Sequence, residues 1–183
     1  AYVPPKPSTF STQAMIALAQ SLAANVARYG QLANGTTFCN VFVRDFVTNL
    51  VGSNVPELGG VVRDQLAAIS SSPHWKEITN PSNWAATYAD AANLAKSGHI
   101  VLAVTTAQDA HIAVVMPYDP MSGFSTLSGG RGYQVPRIAE ATIRNRSTTC
   151  AAYGRNGLDS AAPLSCGFYA AQQPYIRFFV YAP

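Results

Sequence analysis

Hydrophobic residues recur at helical spacing along the first part of the chain, where they predict two helices. The apolar face of the first helix consists of Met15, Leu18, Leu22 and Val26. Ser11 or Thr12 can cap this helix, and the Tyr-Gly pair at 29–30 marks its end. We therefore expect one helix from the cap to about Tyr29, with one face buried.

The second helical pattern begins directly after the polar stretch 31–37, which contains an Asn-Gly turn and the capping pair Thr36-Thr37. The apolar positions that follow are Phe38, Phe42, Val43, Phe46, Val47 and Leu50. Because they cover most of the helix surface, we expect this helix to be largely buried. Cys39 then lies in its first turn.

Further along, the pattern changes from helices to strands. Helices are predicted at 61–69 and 84–96, and Gly98 closes the second of them. Short β-branched runs then predict strands, which span 100–105, 111–116, 133–142 and 176–181. Helices followed by a mainly antiparallel sheet make an α+β arrangement. We expect a single domain over 1–183 with an extended, proline-rich arm at 1–10.

Composition excludes several classes of protein. The chain has 183 residues, and only 11% of them are charged, against roughly 25% in ordinary soluble proteins. No apolar stretch approaches the roughly 18 residues of a membrane span. The net charge of +3 comes from scattered cations rather than from a concentrated basic stripe. We expect a monomer with no membrane span and no nucleic-acid partner.

The three cysteines divide into a pair and a single residue. Cys150 and Cys166 bracket a loop-like stretch, so we predict a disulfide between them and a secreted or periplasmic location. The remaining Cys39 is a buried filler, a link to another chain or a reactive thiol. A helix N-terminus favours the reactive thiol, because its unpaired N–H groups stabilise a thiolate and suit an oxyanion.

The chain offers three histidines as the base that would serve such a thiol. His74 lies in a Ser-rich loop, where a surface role is favoured, and His99 opens an apolar strand, where a structural role is favoured. His111 begins a strand after a polar turn, a placement that would direct its imidazole toward the Cys39 helix. His111 is therefore the preferred base.

The order of three short segments along the chain indicates a family resemblance. They are Cys39-Asn40-Val41-Phe42-Val43-Arg44-Asp45, Gly98-His99-Ile100-Val101-Leu102-Ala103 and His111-Ile112-Ala113-Val114-Val115. Together they resemble the NlpC/P60 and CHAP-type papain-like cysteine peptidases over roughly 28–142. The resemblance implies a papain-like NlpC/P60-type fold, with N-terminal helices packed on a mainly antiparallel sheet. It also implies cleavage of peptide or amide bonds in the stem peptides of bacterial peptidoglycan.

In that family a third residue from the following strand orients the histidine. Glu140, on the predicted strand 133–142, is the choice here, and Asp119 and Gln134 stay open as alternatives. The chain departs from the family in the Gly-rich insertion 121–132, which we interpret as a flexible rim. The candidate catalytic residues are thus Cys39, His111 and Glu140.

Two more residues are candidates for contacts to the oxyanion or the substrate. Asn40 would donate from the helix start, or else satisfy a neighbouring loop; Tyr29 would donate its hydroxyl, or else pack in the core. The sequence has neither a His pair at metal-ligand spacing nor a Gly-x-Ser-x-Gly elbow. We therefore expect no cofactor and no metal, and we discount a serine hydrolase.

The resulting prediction is a secreted thiol peptidase or amidase that hydrolyses peptidoglycan. Relatives with a Cys-Asn-x-Phe-Val core resemble cell-wall-degrading effector toxins, which implies a cognate immunity protein as partner. Two alternatives stay open. One is a non-catalytic cell-wall or carbohydrate-binding module on the same fold, with Trp75 and Trp84 among its stacking platforms. The other is a lipid acyl hydrolase or transferase with the same Cys-His dyad.

Overall fold

The computed structural model describes the residues 9–30, 38–122, 134–142, 150, 152–155 and 157–183. Its helices are α1 (Thr12–Ala24), α2 (Val26–Tyr29), α3 (Cys39–Val51), α4 (Val62–Ser71) and α5 (Trp84–Lys96). Its strands are β1 (Trp75–Glu77), β2 (Val101–Thr105), β3 (His111–Val115), β4 (Arg137–Ala141), β5 (Gly154–Arg155), β6 (Leu158–Pro163) and β7 (Arg177–Tyr181). Short 3-10 helices span Pro56–Leu58, Leu164–Cys166 and Gln173–Tyr175. The chain is therefore α+β, as predicted.

The first predicted helix is divided into α1 and α2. The Ser11 hydroxyl caps α1 by accepting the N–H of Ala14 at 3.2 Å, as the sequence indicates. Asn25 ends α1, and its side-chain oxygen then caps α2 by accepting the N–H of Arg28. The expectation of one continuous helix is wrong, because an asparagine side chain competes for backbone donors and favours a cap over a helix interior.

Among the described residues, the strands form one sheet in the order β1-β7-β2-β3-β4-β6-β5, with each pairing antiparallel. One face packs against α1, α3 and α4, and the other face packs against α5. Strands β2 and β3 are buried along their whole length because both faces of the sheet are covered there. These two strands lie at the centre of the fold, next to the first turn of α3.

The region between the paired cysteines differs from the prediction. We expected a loop there, but β5, β6 and a 3-10 helix occupy it, and β6 pairs with β4. The segment Leu158–Pro163 is rich in small residues and has low strand propensity. It becomes a strand because the edge of β4 supplies hydrogen-bonding partners, which is a tertiary effect. β1, which pairs with β7, is missing from the sequence prediction for the same reason.

The predicted disulfide is confirmed. Cys150 and Cys166 are bonded, with their Cα atoms 5.6 Å apart. Disulfides persist in oxidising compartments, so this one hints at an extracytoplasmic protein. Within the described residues no helix is both long and apolar enough to cross a membrane.

Several expectations concern residues that lie outside this description. They are most of the proline-rich arm at 1–10, the capping pair Thr36-Thr37 and most of the Gly-rich rim at 121–132.

Candidate functional site

Cys39 is the first residue of α3, which is held rigidly by its burial. The side chains that anchor this helix in the core are Phe42, Val43, Phe46 and Val47. The first N–H groups of a helix have no intrahelical acceptors, and at the N-terminus of α3, where Phe38 precedes Cys39, no side chain caps them. The thiol is therefore held at the positive end of a helix, with only 9% of the residue exposed.

His111 is the first residue of β3, next to the same end of α3. It pairs with Thr105 across the β2–β3 hairpin, and it is 3% exposed. A hydrogen bond within the chain stabilises the turn between the two strands, because the hydroxyl of Thr105 accepts the N–H of Ala107 at 3.1 Å. A paired strand and an ordered turn together fix the position of the imidazole.

Glu140 lies on β4, the neighbour of β3, and it is fully buried. Its Oε2 lies 2.6 Å from Nε2 of His111. A buried carboxylate at this distance holds the ring in one orientation and stabilises an imidazolium. The contact joins neighbouring strands of the sheet, so it depends on the β3–β4 pairing.

The Cys39 thiol forms a hydrogen bond with the His111 side chain. Since Nε2 bonds to Glu140, this contact involves Nδ1. Burial acts to raise the pKa of the thiol, but the hydrogen bond and charge of His111 and the backbone N–H groups of Ile112 and Asn40 outweigh it. The pKa of Cys39 is therefore lowered below its ordinary value, which favours the nucleophilic thiolate.

Cys39, His111 and Glu140 therefore lie in one hydrogen-bonded row, while the other candidates for the third position lie elsewhere. The exposed Asp119 pairs with Lys96. Gln134 donates to the hydroxyl of Ser122 at 3.3 Å. Of the three residues that the sequence left open, Glu140 is the one beside the imidazole.

The two candidate oxyanion residues point into other contacts. The side-chain amide of Asn40 donates to the carbonyl of Gly60 at 2.9 Å, although its backbone N–H faces the Cys39 sulfur. The Tyr29 hydroxyl donates to Asp45 at 2.5 Å. Either side chain could contact an oxyanion or substrate only after these hydrogen bonds break. The catalytic roles of Asn40 and Tyr29 therefore stay predictions.

The remaining histidines lie away from Cys39. His74 is exposed and contacts Glu57 at 3.2 Å. His99 is buried just before β2, at the end of that strand opposite to Thr105. The structure thus brings only His111 of the three to the thiol.

Sequence reasoning missed the residues that enclose the His111–Glu140 pair. Gly167 faces the Glu140 carboxylate, and the ring of Phe168 packs edge-on against the His111 ring with centroids 4.8 Å apart. The signal in the sequence was weak, namely a Gly-Phe pair directly after Cys166. Neither a glycine nor a phenylalanine indicates a functional site by itself.

Comparison with known proteins adds no identification. No protein-family model matches the chain, and no curated protein is significantly similar to it. In the part of the chain that the structure describes, no group of three or more His, Cys, Asp or Glu residues is arranged to hold a metal ion.

Proposed function

We propose that this chain is a cysteine hydrolase that cleaves peptide or amide bonds in the stem peptides of bacterial peptidoglycan. The observation that carries the proposal is the row of Cys39, His111 and Glu140, with a thiol whose pKa is lowered. Thiol, imidazole and carboxylate in this order form the constellation that activates a nucleophile for acyl transfer.

In the first half of the reaction, the Cys39 thiolate attacks the carbonyl carbon of the scissile bond. The oxyanion that forms is stabilised by backbone N–H groups in the first turn of α3, which no side chain caps. His111 holds the proton of the thiol and transfers it from Nδ1 to the departing amine. The C–N bond breaks, and a thioester to Cys39 and a free amine result.

In the second half, His111 is neutral and removes a proton from a water molecule that attacks the thioester carbonyl. The tetrahedral intermediate collapses, the C–S bond breaks and the carboxylic acid leaves, so the Cys39 thiolate and the protonated His111 of the starting state are regenerated. Glu140 stabilises each imidazolium that forms and keeps Nδ1 directed at the sulfur. The buried position of the pair strengthens this interaction.

The choice of peptidoglycan rests on the resemblance of the segments around Cys39, His99 and His111 to NlpC/P60 and CHAP-type peptidases. The disulfide supports a site of action outside the cytoplasm, where the cell wall lies. A net charge of +3 favours contact with anionic wall polymers. If the target is the wall of a competitor, the producing cell needs an immunity protein that blocks this site.

The test is digestion of purified peptidoglycan, followed by mass spectrometry of the released muropeptides. Cys39→Ala should release no fragments, and the matched control Thr48→Ala, on the same helix, should behave like the wild type. The masses of the fragments identify the bond. Release of the same fragments by the folded Cys39→Ala protein would refute the proposal.

A second candidate, glycan binding, is favoured by a cavity of about 320 Å³ between the starts of α5 and β7. It is lined by Trp84, Tyr175, Pro81, Pro174, Glu77 and Arg177. The partly buried Trp84 and the 64% exposed Tyr175 offer aromatic faces to a sugar ring, whereas Trp75 is buried against Tyr181. Cosedimentation of Cys39→Ala and of Cys39→Ala/Trp84→Ala with peptidoglycan separates binding at this cavity from hydrolysis.

A further inference from the structure

The Glu140 carboxylate fits its place only because residue 167 is glycine. A Cβ at Gly167 would overlap Oε2 and would lie 2.6 Å from Cδ of Glu140, closer than real Cβ contacts. The backbone does not require glycine there, since its φ of −105° and ψ of −23° suit any residue. The requirement at Gly167 is space for the carboxylate.

The residues that follow Gly167 contact the rest of the His111 environment. Phe168 covers one side of the imidazole. The side-chain amide of the buried Gln172 donates to the carbonyl of Ala107 at 3.1 Å and to that of Asp109. These carbonyls belong to the turn that leads into His111. The segment 164–173, which we call the brace, thus touches the carboxylate, the imidazole and the turn that carries the imidazole.

The brace has little regular structure of its own, so its position depends on its contacts with the rest of the chain. It is built from a 3-10 helix and turns, and its backbone is tied to the β4 end by the N–H of Leu164, which donates to Pro136 at 2.9 Å. The covalent attachment is at Cys166, one residue before Gly167. Cys150 and Cys166 pack in a small cluster with Ala162, separate from both main cores. The disulfide is thus a covalent cross-link one residue from Gly167, and it acts together with the packing of Leu164 and Phe168 in the core on the α5 side of the sheet.

From this juxtaposition we infer that the Cys150–Cys166 disulfide controls the hydrolase by holding the brace against His111 and Glu140. The inference rests on the proposed function, since it concerns regulation of the same site. Gly167, Phe168 and Gln172 are positioning residues in this arrangement. With the disulfide formed, the carboxylate is held on Nε2; with the disulfide open, the brace moves and the imidazole loses its orientation.

Opening the disulfide is a two-electron reduction by a dithiol such as dithiothreitol. The S–S bond breaks, Cys150 and Cys166 each gain a proton and an electron, and the dithiol is oxidised to its cyclic disulfide. Cys39 is already a free thiol, so this reaction leaves it unchanged. The consequence is unusual for a thiol hydrolase: a reductant should switch it off. The chain would then be inactive in a reducing cytoplasm and active after export.

The experiment measures muropeptide release by the full chain in three matched pairs. The pairs are oxidised against dithiothreitol-reduced wild type, wild type against Cys150→Ser/Cys166→Ser, and Gly167→Ala against Gly59→Ala. Gly59 is a fair control because an added Cβ would make only an ordinary 3.4 Å contact there. Circular dichroism and thermal unfolding report whether each protein stays folded.

We expect the reduced protein, the double serine variant and Gly167→Ala to lose activity by about 100-fold, the effect of a misplacement of roughly 1 Å in a catalytic group. Gly59→Ala should keep wild-type activity. In the double serine variant, alkylation of Cys39 by iodoacetamide should also shift to higher pH, because the imidazole that stabilises the thiolate is no longer oriented. A purely structural role of the disulfide in a folded variant would not move this profile.

Full activity of the reduced protein, or equal activity of Gly167→Ala and Gly59→Ala, would overturn the inference. Unfolding of the whole chain on reduction would also overturn the inference, because the disulfide would then hold the fold and not the brace alone; Gly167→Ala, which keeps its disulfide, tests the contact of the brace with Glu140 separately. Different results would refute the proposed function and the control by the disulfide. An oxidised wild type that releases no muropeptides refutes the proposed function, whereas an oxidised and a reduced protein with equal activity refute only the control by the disulfide.

Discussion

Strand β2 has a buried histidine beside each of its ends. At one end His111 pairs with Thr105, and its ring lies between the Cys39 thiol and the Glu140 carboxylate. At the other end His99 is also buried, but its Nδ1 finds no hydrogen-bond partner among the described residues. The two rings have similar burial and different neighbours.

The comparison of His99 with His111 separates the effect of burial on a pKa from the effect of a hydrogen-bonded partner. Burial alone lowers the pKa of His99 and keeps that imidazole neutral. Beside His111, a buried carboxylate lies at hydrogen-bond distance from the ring, and the hydrogen bond and charge of His111 help to lower the pKa of the Cys39 thiol. A buried histidine therefore becomes a candidate base only through its partners, and each partner can be tested by substitution.

The largest expected effect separates the two histidines directly. His111→Gln should lower muropeptide release about 1,000-fold, because it removes the group that moves protons in both halves of the reaction. His99→Gln should leave turnover near the wild-type level. Steady-state assays on both proteins, with unfolding curves as a control for folding, make the comparison. Similar losses in the two variants would mean that His111 acts only as a core residue.

Removing the charge of the carboxylate should have the next largest effect. Glu140→Gln keeps the size of the side chain but cannot stabilise an imidazolium, so turnover should fall on the order of 100-fold. The loss should appear in kcat rather than in KM, since Glu140 orients a group and does not contact substrate. Wild-type kcat in this variant would remove Glu140 from the mechanism.

The pH dependence of Cys39 reactivity should show the support that His111 gives the thiol. Although burial opposes it, the contact with His111 and the N–H groups of Ile112 and Asn40 lower the pKa of Cys39. Iodoacetamide should therefore react at pH values at which an ordinary thiol is protonated, and the rate should fall only at more acidic pH. Glu140→Gln should move this profile upward, toward that of an ordinary thiol. A profile like that of a free cysteine peptide in the wild type would contradict the lowered pKa.

The smallest expected effect concerns His99 and folding stability. Because burial lowers the pKa of His99, the unfolded chain binds more protons than the folded chain as pH falls through the ordinary histidine range near about 6.5. The free energy of unfolding should therefore decrease over that range. His99→Leu should lose less stability than the wild type when urea unfolding at about pH 7 and about pH 5 is compared. Equal losses in the two proteins would show that His99 does not resist protonation.

Much of the fold follows from local patterns in the sequence. The apolar stripes, the Ser11 cap and the β-branched runs predicted the start of α1 and the bounds of α3 and β2 closely, because the periodicity of a buried face is a property of neighbouring residues. The strand β6 and the division of the first helix at Asn25 were missed. β6 depends on its pairing with β4, which is distant in the chain, whereas the division at Asn25 is a local competition in which the asparagine side chain accepts the N–H of Arg28.

The residues of the candidate site also divide into those that local sequence predicts and those that depend on tertiary contacts. Cys39 and His111 could be selected because each begins an element, and the start of an element is readable in sequence. The contact between Glu140 and His111 depends on the β3–β4 pairing, so the sequence left Asp119 and Gln134 open beside it. Gly167 could not be found, because its function is the absence of a side chain at a place that only the folded chain defines.

The most direct test of the central claim is the stoichiometric labelling of Cys39 in the oxidised wild-type protein. The other two cysteines are paired, so Cys39 is the free thiol that iodoacetamide can modify. Peptide mapping gives the labelled fraction, and muropeptide release gives the remaining activity of the same samples. The account predicts that activity falls in proportion to labelling and vanishes when Cys39 is fully alkylated. A fully labelled, folded protein that still releases muropeptides at the wild-type rate would contradict it.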